Sequence, residues 1–120
     1  MNSVETLFTS KARTVTENSP DQLNQSASGL HLVIDVTAAT DTPSVVFTLQ
    51  GKCPVSGKYY TILASSAITG TGTTVLKVFP GSAVAANATA NDILPKHWRV
   101  IATHADADSI TYTVTASLVV

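Results

Sequence analysis

Ile110, Tyr112, Val114, Ala116, Leu118 and Val120 alternate without a break with Thr111, Thr113, Thr115, Ser117 and Val119. A period of two sends successive side chains to opposite faces of an extended chain, so this run predicts a long strand with one buried side. The same pattern recurs in Leu30, Leu32, Ile34 and Val36, interleaved with His31, Val33 and Asp35. It recurs again in Val45, Phe47 and Leu49 against Val46, Thr48 and Gln50. Residues 59–63, 74–79 and 98–104 predict three further strands, and 4–16 supplies one or two, giving seven or eight.

Between these runs lie clusters that cannot continue a ladder: Asn18-Ser19-Pro20-Asp21, Ala39-Thr40-Asp41-Thr42-Pro43, Pro54-Val55-Ser56-Gly57, Gly70-Thr71-Gly72 and Ala105-Asp106-Ala107-Asp108. These are turn residues. Short strands separated by turn chemistry, with no sustained apolar stripe at helical spacing, predict an all-β antiparallel sandwich or a jelly-roll-like barrel with little helix. Residues 82–90 are rich in alanine but follow Pro80-Gly81 and lack large apolar side chains, so they predict a loop with at most one helical turn. At 120 residues the chain suits a single domain that buries roughly two-thirds of its extended surface. Within that domain, 1–28 is expected to form an N-terminal strand or arm with its loop, and 29–120 the sandwich core.

Only 12% of residues are charged, with 7 Lys+Arg against 8 Asp+Glu, while 18 of the 120 are threonine. A net charge of −1 argues against gripping a phosphate backbone, which needs clustered cations. Cys53 is the only cysteine, so no intramolecular disulfide and no Cys-rich zinc site is expected. The opening residues show neither a basic stretch followed by an apolar run nor a membrane-length apolar segment, so neither a signal peptide nor a membrane partner is expected. A surface of threonine, serine and alanine with few lysines to guard strand edges suits a chain that works inside an assembly. Threonine's preference for strand surfaces explains the same composition equally well.

Candidate chemistry is sparse. His31 and Asp35 share a strand face but stand about 13 Å apart, too far for one metal. His104, Asp106 and Asp108 form the one cluster with the donor types of a divalent-cation site. The simpler account is a turn in which the two carboxylates cap backbone donors. No Gly-x-Ser-x-Gly occurs, the only glutamates, Glu5 and Glu17, lie far forward, and Gly70-Thr71-Gly72-Thr73-Thr74 lacks the lysine of a phosphate loop. Trp98, Tyr59, Tyr60 and Tyr112 could form a sugar-binding platform, but Trp98 shares parity with Val100 and Ala102 and so reads as core. Cys53 reads as a small hydrophobe in a loop. No enzyme activity and no cofactor are expected.

Several stretches together resemble a family of small structural proteins of tailed bacteriophages. They are Gly29-Leu30-His31-Leu32-Val33-Ile34-Asp35-Val36-Thr37-Ala38, Gln50-Gly51-Lys52-Cys53-Pro54-Val55-Ser56-Gly57-Lys58-Tyr59-Tyr60, Val78-Phe79-Pro80-Gly81, and Leu94-Pro95-Lys96-His97-Trp98-Arg99-Val100 with Thr103-His104-Ala105-Asp106-Ala107-Asp108-Ser109-Ile110-Thr111-Tyr112. Cys53 stands where that family pattern would have an acidic or polar residue. The resemblance implies a virion protein made in the host cytoplasm and assembled in many copies, as a capsid decoration (cement) protein. Its partner would be the major capsid protein, and it would act as a homo-oligomer, a trimer or dimer. A tail or head-to-tail connector protein and a carbohydrate-binding adhesin are the alternatives. Leu7, Phe8 and Arg13 combine apolar anchors with one cation in the N-terminal segment, which makes them the expected contact residues. On that view Phe8→Asp weakens attachment and spares the fold.

Overall fold

The computed structural model describes residues 3–120, and within them the chain is all-β with no helix. The strands are β1 (Ser3–Arg13), β2 (Glu17–Asn18), β3 (Gln22–Leu23), β4 (Gly29–Ala39), β5 (Val45–Lys52), β6 (Tyr59–Ala64), β7 (Gly72–Val78), β8 (Thr89–Ala90), β9 (His97–His104) and β10 (Ile110–Val119). Seven are long and correspond to the runs read from periodicity. The three two-residue strands are too short to leave a period, and residues 82–90 make a turn leading into β8 instead of a helical turn.

One sheet has the order β1-β10-β4-β7-β8, the other β2-β9-β5-β6, with β3 also paired to β9. They pack as a sandwich and do not close into a barrel. Taking β2 and β3 as one interrupted strand and setting β8 aside, every connection crosses between sheets except the β5–β6 hairpin. That winding is jelly-roll-like. All long neighbours pair antiparallel; only β7–β8 is parallel.

The alternation builds the core directly. Leu30, Leu32, Ile34 and Val36 of β4 and Ile110, Tyr112, Val114 and Ala116 of β10 turn inward from the first sheet. They meet Val45, Phe47 and Leu49 of β5 and Trp98, Val100 and Ala102 of β9. Outward positions on the same strands carry Thr, Ser, Val and Gln, which satisfies a sheet with one wet face. Trp98 is 1% exposed, as its parity predicts.

β1 departs from strict alternation. Its register against β10 slips between Thr6 and Phe8 and again between Phe8 and Lys11, so the consecutive residues Leu7 and Phe8 both turn into the core. A bulge adds a residue to one strand of a pair and rotates the residues beyond it. β1 therefore joins the same hydrophobic cluster as residues 29–120.

The register also defines two ends. Loops 24–28, 53–58 and 79–88 and segment 91–96 lie at one; loops 14–16, 40–44, 65–71 and 105–109 lie at the other.

Candidate functional site

The three residues expected to meet a partner lie inside the chain. Leu7 is 7% exposed, Phe8 4% and Arg13 5%. Phe8 packs edge-on against Tyr112 with ring centroids 6.0 Å apart. The Arg13 guanidinium lies over both rings, 4.7 Å from the Tyr112 centroid and 5.3 Å from that of Phe8. It donates to the carbonyls of Thr9 (2.8 Å), Tyr112 (3.0 Å) and Lys11 (3.2 Å), and its Nε pairs with Glu17 at 3.4 Å. The slipped register deprives this stretch of regular ladder partners, and a guanidinium with five fixed donors replaces them. Arg13 thus staples the bulged edge strand to its own sheet. With Phe8 in the core, Phe8→Asp would bury a carboxylate, so the expectation that it spares the fold does not hold.

The staple continues across the core through side chains that no linear pattern links. Tyr112 packs edge-on against Phe47 at 4.9 Å, and its hydroxyl meets His104 Nε2 at 3.0 Å. Burial pushes the Tyr112 phenol up to about 12 and pushes His104 down, with Glu17 and Asp106 opposing the latter shift.

His104, Asp106 and Asp108 do not converge on a metal site. Among the described residues no three His, Cys, Asp or Glu side chains come together to hold an ion. Asp106 instead accepts the Asp108 N–H at 3.1 Å, and Asp108 accepts both the N–H and the hydroxyl of Thr42 at 3.2 Å. Asp108 thereby ties the β9–β10 loop to the β4–β5 loop.

The four aromatic candidates are likewise dispersed. Trp98 and Tyr112 are buried, and the Tyr59 ring is capped by Arg99, whose guanidinium carbon sits 3.5 Å from its centroid. Tyr60 is half-exposed and lies across Gly51, where an added Cβ would strike the ring. The Tyr59 hydroxyl donates to Asp21 at 2.7 Å, Lys52 pairs with Asp21 at 2.8 Å, and Arg99 Nε donates to Gln50 at 2.9 Å. Hydrogen bonds from Lys52 and then Tyr59 hold the Asp21 carboxyl below its ordinary range, and Asp21 raises Lys52 in return. Lys52 and Asp21 thus answer one another, while Arg99 is held by Gln50 and the Tyr59 ring. Cys53 is half-buried in the β5–β6 turn, where hydrogen bonds from Ser56 lower its thiol. A wide-open concavity of about 410 Å³ is formed by residues 66–74 and has no charged side chain in its lining.

The remaining candidate is surface. The outer face of the β1-β10-β4-β7 sheet presents Thr111, Thr113, Thr115 and Ser117 along its middle, beside Val33 and Val75. On β10, β4 and β7 that face carries Asp35 and Lys77 as its only ionised side chains, with His31 facing Lys77. The two ends, by contrast, are sorted by charge. The half with the β5–β6 hairpin carries Lys52, Lys58, Lys77, Lys96 and Arg99 against Glu5, Asp21 and Asp92. The opposite half carries Glu17, Asp35, Asp41, Asp106 and Asp108 against Lys11 and Arg13. Side-chain charges are therefore +2 and −3, which together give the formal −1. Comparison with protein-family models, with curated proteins and with solved structures returns no match to this chain.

Proposed function

We propose that this chain is a non-enzymatic structural protein of a tailed-phage virion, a decoration protein that binds the major capsid lattice in many copies on the outside of the head. The observation that carries the reading is the outer face of the β1-β10-β4-β7 sheet. Threonine, serine and valine there need little desolvation when another protein covers them, whereas a face of lysine and glutamate resists burial. The resemblance in residues 29–38, 50–60, 78–81, 94–100 and 103–112 supplies the class of assembly, and the sandwich supplies the form of contact. Many weak contacts repeated over a lattice hold through avidity, so no single one has to be strong.

Contact from the N-terminal segment then comes from Val4, Thr6 and Ala12, which turn outward beside Ser117, Thr115 and Thr111, while Leu7, Phe8 and Arg13 support them from within. The test is the copy number of the chain in purified phage particles, by densitometry against the major capsid band. Hundreds of copies in a simple ratio to the capsid protein are expected. A few to some tens would move the chain to the tail or connector, and none would overturn a virion role. Particles rebuilt with Thr113→Arg/Thr115→Arg should lose most of the decoration while the isolated variant keeps its melting temperature.

A further inference from the structure

Large exposed apolar side chains are unevenly shared between the two ends of the sandwich. Leu23 (51% exposed), Val55 (94%), Phe79 (38%) and Ile93 (62%) all lie in the loops and strand ends at the basic end, whereas Val15 alone does so at the other. They come from four separate segments that share this end, and covering apolar area there favours association.

The charges around it select the occupant. Lys58 in the loop of Val55 and Lys96 in the segment of Ile93 are exposed and form no ion pair among the described residues, whereas Lys52 is already held by Asp21. At the far end Asp41 and Asp106 are exposed and equally unpaired by any cation, with Ala105 and Ala107 on either side of Asp106. Two basic ends repel, as do two acidic ends; only a basic end against an acidic end attracts.

We infer that copies of this chain associate head to tail, the apolar, basic end of one seated on the acidic end of the next. The contact is heterologous, so the series keeps one unused end of each kind and stays open unless it closes into a ring. The molecule measures 40 × 30 × 24 Å, and an 11-residue strand spans about 36 Å, so the strands run along the long axis. Each end then offers roughly 570 Å², an ellipse of 30 × 24 Å, and a pair of ends about 1,100 Å². That lies at the lower edge of stable interfaces, so the association is weak, concentration-dependent and salt-sensitive. It does not depend on which lattice the outer sheet face meets.

Sedimentation velocity of the full chain at rising concentration tests this, at about 20 mM and about 500 mM salt, where screening lengths differ several-fold. At low salt the weight-average sedimentation coefficient should climb past that of a dimer, and at high salt it should return to the monomer. Lys58→Glu/Lys96→Glu and Asp41→Asn/Asp106→Lys should each sediment as monomers alone. An equimolar mixture should associate again, because the native acidic end of the first variant meets the native basic end of the second. Circular dichroism of each variant confirms that it is folded before it is scored. A wild-type chain that stays monomeric at low salt, an association that salt does not weaken, one that stops at a dimer, or folded variants that fail to recover on mixing would each overturn the inference.

Discussion

Arg13, expected from the sequence at a contact surface, is buried against its own sheet. In the sequence it is one of two cations in the first strand, with Lys11, and the bulges that turn it inward leave no period to detect. Its guanidinium answers three carbonyls and one carboxylate between two aromatic rings. Arg13→Met keeps the length but strands those acceptors, so a loss of about 2–4 kcal/mol is expected. Lys in its place should recover only part, since a single ammonium cannot fork to several carbonyls. Thermal unfolding followed through Trp98, the only tryptophan and a buried one, checks both. Tyr112 makes a pH prediction. Its folded phenol is raised from 10.0 to about 12, so its contribution is whole below pH 10 and is lost as pH rises from 10 towards 12. Melting temperature should fall across that window, and Tyr112→Phe should flatten the slope. An unchanged slope would mean that other groups drive alkaline unfolding.

At the level of elements, period two is legible wherever a strand has one core face and one wet face. β4, β5, β9 and β10 are such strands, which is why their residues and their parity are readable from the sequence. β1 is legible only as a strand, because its inward residues are spaced by bulges and not by twos. β2 and β3 are set by β9, which arrives from far along the chain, and β8 by the turn that follows β7, so their two residues carry no signal of their own. Edge position has a measurable cost. β10 and β4 are paired on both sides along most of their length, whereas β1 is paired on one side and twice interrupted. Amides of β10 and β4 should exchange last and those of β1 early, as hydrogen exchange with mass spectrometry can read. Phe8→Asp should unfold the chain or leave β1 unprotected throughout. A native exchange pattern in that variant would place Phe8 outside the core after all.

Considered whole, the molecule is held together by contacts distant in sequence, beginning with Ser3 opposite Leu118. Topologies of this kind pay loop closure before they gain contacts, so refolding is expected on a millisecond-to-second timescale. Stopped-flow fluorescence of Trp98 would detect a faster phase if a local hairpin dominated. The candidate surfaces are less legible than the fold, because sorting charges between two poles requires knowing which loops share an end. The same pairing of first and last strands has a practical side. Ser3 and Leu118 sit on adjacent strands, about 5 Å apart across the ladder. A short peptide could join the two ends and turn the chain into a circle, with new termini cut into loop 65–71 at the opposite pole. Cargo attached beside Ser3 or Leu118 would crowd the basic pole, whereas cargo on the permuted chain would project from the acidic one, so either pole could be blocked or left open by choice of where the polypeptide is cut.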